Sequence, residues 1–230
     1  MWNNYFAQIR KKYSMRVSFK EPLVINLDGK DVTKNNNINL FIKYNDGFLD
    51  TMEKTVKYFT KKYDCISIFG ADEVSFIFLK PIDLIKDLNS DNNNSSNEII
   101  AVFSQYFFDY FNSISNTEKI FWHGKCFSIP SGKVNSYIKY KNKLIQNVIT
   151  TYLLKKNNII DAGKIKAEER IEKCKEYKQY NELKKVMDGI LYKNGDRIDI
   201  EEFLNGSIKI IEPEEKRTED EYFDITKWDI

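Results

Sequence analysis

Two apolar runs, Cys65–Gly70 ("CISIFG") and Glu73–Lys80 ("EVSFIFLK"), follow each other so closely that, if both are strands, only a tight hairpin can join them. The turn falls at Gly70-Ala71-Asp72, where glycine offers the backbone freedom a hairpin needs. An earlier run, Pro22–Gly29 ("PLVINLDG"), is apolar almost throughout and suits a central strand ended by Asp28-Gly29. Between these strands Phe48, Met52, Val56 and Phe59 recur at helical spacing, which predicts a helix from about Asp46 to Tyr63. The Asn- and Ser-rich stretch Asp87–Glu98 reads as a surface loop. "NEIIAVFSQYFFDYFNSI" then reads as a strongly apolar helix, with Tyr106, Phe107, Phe108, Tyr110 and Phe111 as helix core. "KIFWHGKCFSIP" reads as a strand pair or a bulged strand, closed by Pro130-Ser131-Gly132.

The resulting order is strand, helix, strand, strand, helix, strand. It matches a ferredoxin-like α+β arrangement, in which helices cover one face of an antiparallel sheet. Residues 1–135 would form this domain, and residues 136–230 a C-terminal helical extension packed on it. In the extension, "KVNSYIKYKNKLIQNVITTYLLKKN" is a long basic amphipathic helix, "AGKIKAEERIEKCKEYKQYNELKKVM" holds further helix, and "GILYKNGDRI" is a short strand. From Gly195 onward the chain is either a partly ordered strand segment or a flexible acidic end.

Composition narrows the setting. The chain has 230 residues, enough for one large core, and its three cysteines (Cys65, Cys126, Cys174) are far apart with no CxxC spacing. That usage fits a reducing compartment and argues against a structural zinc site. The N-terminus is polar and basic, and no window approaches the roughly 18 continuous apolar residues of a membrane span, so a cytoplasmic protein is expected. Net charge is only +2 but unevenly spread. Residues 1–20 carry Arg10, Lys11, Lys12, Arg16 and Lys20 without an acid, Lys133–Lys185 is lysine-rich, and the tail is acidic. Such a pattern belongs either to solvated helix faces or to a protein with a polyanionic partner.

The residues with chemistry to offer are Asp28 and Asp72. In a ferredoxin-like sheet the first strand lies beside the middle hairpin, so the two carboxylates can converge, and at a few ångströms they repel unless a cation lies between them. Magnesium suits such a place, because it takes hard oxygen ligands and is held by one or two carboxylates together with substrate phosphates. The Gly29 carbonyl could add a further oxygen. Taken alone, these acids read first as ordinary turn residues without a ligand. Glu73 is expected on the opposite strand face from Asp72, in a supporting role or a structural pair. His123, the single histidine, is read as a turn or packing residue.

Five ordered blocks sharpen this reading: "LDGK", "KYND", "FGADEVSFIF", "WHGKCFSIPS" and "YIKYKN". Their order and spacing resemble the motif series of the tRNA-His guanylyltransferase family and its reverse-polymerase relatives, approximately DGR, KPND, YGQSDEYSFVF, FDGRVFxxPS and YxxWRQ. The resemblance spans roughly residues 5 to 195 and implies a polymerase palm that adds nucleotides to the 5′ end of a tRNA or another RNA in the 3′-to-5′ direction. It implies GTP and ATP as substrates, two magnesium ions held by Asp28, the Gly29 carbonyl and Asp72, and a homotetramer. It also implies a triphosphate cradle at Gly29-Lys30-Asp31-Val32-Thr33 adjoined by Ala71 and Asp72, and a second nucleotide contact at Lys43 and Asp46. Lys139, Lys141 and Asn142 stand where that family has its Arg-Trp-Arg-Gln, and are either phosphate contacts or part of a solvated helix face. Ala71 replaces the family's serine, the turn is one residue shorter, and the His-Ile-Asn-Asn-Leu-Tyr-Asn segment of the eukaryotic enzymes is absent. Two other functions suit the same palm: a nucleotide cyclase or oligonucleotide-signal synthetase acting without RNA, and a non-catalytic nucleotide-binding module.

Overall fold

The computed structural model describes residues 6, 17, 20–30, 47–81, 84, 96–115 and 119–213, the side chain of Lys185 apart. The first strand, β1 (Leu23–Gly29), is followed by helix α1 (Phe48–Lys62) and by the hairpin of β2 (Ile66–Gly70) and β3 (Glu73–Phe78). Helix α2 (Ser96–Ile114) leads to β4 (Trp122–Ser128). The extension supplies α3 (Val134–Lys156), a single 3-10 turn, α4 (Ala167–Cys174), α5 (Gln179–Met187), β5 (Ile190–Lys193), β6 (Asp196–Ile198) and α6 (Ile200–Asn205).

The strands form one sheet in the order β4-β1-β3-β2-β5-β6, with every neighbouring pair antiparallel. Its first four strands carry the ferredoxin-like order expected from the sequence. Alternation along β3 sends Phe76 and Phe78 to one face, where they meet Phe103 of α2, and Phe76 also meets Phe59 of α1 and Phe107 of α2. Each such fully buried aromatic contributes on the order of 2 kcal/mol. Burial leaves Thr55 and Thr60 of α1 no water, and each hydroxyl donates to the carbonyl four residues back.

Helices α1 and α2 do share one face of the sheet. The opposite face is covered as well, by α3 of the extension, which brings Tyr137 against Phe127 of β4 and Ile145 against Gly70 of β2. Asn157 closes α3 at its C-terminus, and Glu212 accepts the Gly132 and Val134 amides at its N-terminus, at 2.6 and 3.0 Å. The described part of the segment after Gly195 is therefore structured, anchored by the buried Phe203 and Ile210.

Four details differ from expectation. "KIFWHGKCFSIP" forms one regular strand, β4, since each of its residues from Trp122 to Ser128 pairs in register with β1. "GILYKNGDRI" is two strands, because Asn194 and Gly195 take positive φ (52° and 85°) and turn the chain between β5 and β6. The loop read over 87–98 ends earlier, with Ser96 already buried as the first residue of α2. Of the five aromatics read as core, Phe107 and Phe111 are fully buried, Phe108 and Tyr110 partly, and Tyr106 is exposed: a 3.6-residue period cannot turn five of six consecutive positions inward. No helix among the described residues is long and apolar enough to cross a membrane.

Candidate active site

Strand β1 runs between β4 and β3 and ends at Asp28-Gly29, where the three strands meet. Asp28 is the cross-strand partner of Glu73 on β3 and of His123 on β4. Directly opposed residues of an antiparallel pair point to the same face, so Glu73 and His123 flank Asp28 on the α3 side of the sheet. The hairpin turn is stitched to the same strand end. The Gly29 amide donates to the Asp72 carbonyl at 2.8 Å, and the Lys30 amide donates to the Phe121 carbonyl at 2.7 Å. Asp72 is 8% exposed, Asp28 lies open at the strand end, and Gly29 between them is buried.

The turn itself differs from the simple reading. Ala71, not Gly70, carries the left-handed backbone, with φ 55°. Gly70 is glycine for another reason, since a Cβ there would lie 2.5 Å from Ile145 Cγ2 and 3.2 Å from the Val186 carbonyl oxygen. Glycine at this position lets α3 and the end of α5 approach the hairpin.

Beneath this strand end runs a buried polar chain. Lys141 of α3, 1% exposed, places its ammonium 2.6 Å from Glu73 Oε1 and donates to Asn26 Oδ1 at 3.0 Å. Ser75 donates to the same Asn26 oxygen at 2.6 Å. A serine hydroxyl has one proton, so the Tyr137 hydroxyl 3.2 Å away is the donor to Ser75.

The backbones of Asp28, Gly29, Lys30, Ala71, Asp72 and Glu73 thus meet at one strand end. Lys141 also reaches the site, from inside the protein and through Glu73, so it is not part of a solvated helix face. Its neighbours bond within the C-terminal extension itself: Asn142 donates to the Asp188 carbonyl at 2.8 Å, and exposed Lys139 to the Leu204 carbonyl at 3.3 Å. Asp31, Val32, Thr33, Lys43 and Asp46 lie outside the described residues. His123 is neither in a turn nor packed inside; it is an exposed strand residue beside Asp28, a placement that only the β1–β4 register reveals. Asn26 and Ser75 carried a signal that the sequence reading left unused. Each is a polar residue in an apolar strand, two positions from an acid and therefore on that acid's face.

Among the described residues no three His, Cys, Asp or Glu side chains are grouped so as to form a metal cage. Asp28, Asp72 and the Gly29 carbonyl offer only hard oxygen atoms, a donor chemistry that would suit magnesium with water and phosphate better than zinc.

No protein-family model and no curated protein matches the sequence. The structure does have counterparts. A bacterial tRNA(His) guanylyltransferase-like protein in complex with ATP superposes with TM-score 0.57 at 12% identity, over 84% of this chain and 88% of that one. A bacterial tRNA(His) guanylyltransferase-like protein in complex with GTP gives 0.51 at 13%, over 84% of each. The tRNA(His) guanylyltransferase of Saccharomyces cerevisiae gives 0.50 at 17%, over 84% of this chain and 94% of that one. At such identities the likeness concerns architecture, and by architecture this chain has the palm fold of the tRNA(His) guanylyltransferases.

Proposed function

We propose that the protein is a divergent tRNA-His guanylyltransferase-like nucleotidyltransferase that uses magnesium to add a nucleotide, GTP in the first instance, to the 5′ end of a tRNA or another RNA. The observation that carries this reading is the junction of Asp28-Gly29 with Asp72-Glu73, two motifs distant in sequence whose backbones are hydrogen-bonded at the end of a central palm strand. A nucleotide-binding fold of this kind, with ATP and GTP complexes among its structural counterparts, supports the same conclusion.

Asp28, Asp72 and the Gly29 carbonyl would hold the cation, which when bound neutralises phosphate charge and lowers the pKa of an attacking hydroxyl. The chain's own task is placement. Strand pairing on both sides of β1 fixes Asp28, and the Gly29–Asp72 hydrogen bond fixes the turn that carries the second carboxylate. Lys30 follows directly at the exposed end, where its amide is committed to Phe121 and its side chain is available to phosphate. The reaction has two transfers. The RNA 5′-phosphate attacks the α-phosphorus of ATP and releases pyrophosphate. The 3′-hydroxyl oxygen of GTP then attacks the activated 5′ phosphorus, the hydroxyl proton leaves to solvent, and AMP departs.

Labelled GTP incorporated into 5′-phosphorylated tRNA in the presence of magnesium and ATP tests this reading. Asp28→Ala and Asp72→Ala are expected to lower incorporation by on the order of a hundredfold or more with the fold retained. Full activity in either variant removes the assignment. Product formed without RNA would point to a signal synthetase, and GTP binding without any product to a binding module. The assembly implied by the resemblance, a tetramer, is checked by light scattering across a concentration series.

A further inference from the structure

Lys141 occupies a place that neither folding nor phosphate binding explains. Taking an ammonium out of water is costly even when it is paired, and an apolar side chain of similar volume generally serves stability as well or better. A lysine that meets substrate phosphate must reach solvent, whereas Lys141 is 1% exposed. Its ammonium is held between Glu73 Oε1 at 2.6 Å and Asn26 Oδ1 at 3.0 Å. Asn26 is anchored in turn by Ser75, and Ser75 by Tyr137. Asn26 and Ser75 are cross-strand partners on the same face as the next such pair, Asp28 and Glu73. Carboxylates placed directly opposite each other repel. The network therefore grips Glu73 from below, while Asp28, its cross-strand partner, is exposed at the strand end.

Resting on the nucleotidyltransferase reading of this site, we propose that Lys141 is its positioning residue: it ties Glu73 to Asn26 and cancels its charge, reserving Asp28 and Asp72 for the cation. Without Lys141 the Glu73 carboxylate can turn toward the site as a third ligand. The cation would then be bound more tightly and in the wrong arrangement. This sign separates positioning from a merely structural role, in which loss of Lys141 weakens binding or leaves it unchanged.

The probe is Mn2+ alone, titrated into the full chain without nucleotide and followed by the electron paramagnetic resonance signal of the free ion. Lys141→Met is expected to bind Mn2+ about tenfold tighter, the effect of one added unit charge in a partly exposed site. In the GTP assay its kcat should fall while KM for GTP stays near that of the wild type. Lys141→Arg, which keeps the cation, should match the wild type in Mn2+ affinity. The double variant Glu73→Gln/Lys141→Met removes both charges and should return affinity to within about twofold of the wild type. A folded Lys141→Met whose Mn2+ affinity is unchanged or weaker overturns the proposal. If that variant fails to fold, the double variant decides, because a loss of about tenfold there makes Glu73 a ligand in the wild type. Asp28→Ala separates the two levels of the argument. If it retains Mn2+ binding, the metal-site reading falls and takes the Lys141 proposal with it; if it loses binding while Lys141→Met does not differ from the wild type, only the Lys141 proposal falls.

Discussion

Ala71 sits in a backbone conformation that an L-residue adopts at roughly 1–2 kcal/mol and glycine at no steric cost. Ala71→Gly should raise the urea midpoint with the slope unchanged, by a net gain below about 1 kcal/mol, since glycine also loosens the unfolded chain. A lower midpoint would show that the methyl contributes more in contacts than the turn loses in strain. The cysteines permit a second residue-level prediction. All three are buried as free thiols, and burial pushes each upward, Cys174 to about 11 despite the opposing charge of Arg170. Because the thiolate is the reactive form, a thiol-specific reagent at pH 8 should label none of them in the folded chain and all three in denaturant. For Cys174 the folded value lies above the ordinary one, so its contribution to stability is complete below the ordinary thiol range and is lost as pH rises toward about 11. At this scale the meeting of the Asp28 and Asp72 segments was legible, because each belongs to a short local motif. Lys141 was not. Its place on the buried stripe of α3 follows from helical period, but a lysine there reads as exposed until the facing Glu73 and Asn26 are known.

Among the elements, the β2–β3 hairpin shows how one residue can look right for the wrong reason. Gly70 was expected to permit the turn; it permits instead the approach of α3 and α5. Gly70→Ala should therefore destabilise the protein by about 1–3 kcal/mol through overpacking against Ile145. Equilibrium unfolding of that variant beside a Gly70→Ala/Ile145→Ala pair checks the cause, since the smaller neighbour should recover part of the loss. Every strand and helix of the βαββαβ core was legible from apolar runs and period, because each buries one continuous face. The β5–β6 hairpin was read as a single strand although it carries Asn194-Gly195. Its strands are only four and three residues long, too short for alternation to announce two of them.

For the whole molecule, the boundary read at 135/136 does not coincide with an edge of the sheet. Strand β5 pairs with β2 from Ile66 to Phe69, so the C-terminal part extends the sheet that carries the site. Helix α3 also closes the sheet face on which Asn26, Ser75 and Glu73 lie, and its residues Tyr137 and Lys141 complete the polar chain beneath Asp28. For the proposed site the consequence is rigidity: Asp28, at the end of a strand paired on both sides in a sheet backed on both faces, is held more firmly than a loop would hold it. Removing residues 136–230 would uncover Val24, Ile68, Ile77 and Phe127 together, an apolar face too large for a soluble monomer to expose. Residues 1–135 alone are therefore expected to bind a hydrophobic dye and to unfold without a cooperative transition. In the full chain, circular dichroism and tryptophan fluorescence should report one coincident transition in urea. A soluble 1–135 fragment with its own sharp transition would show instead that the palm folds first and the extension docks on it afterwards, and Lys141 would then be joining a site already formed.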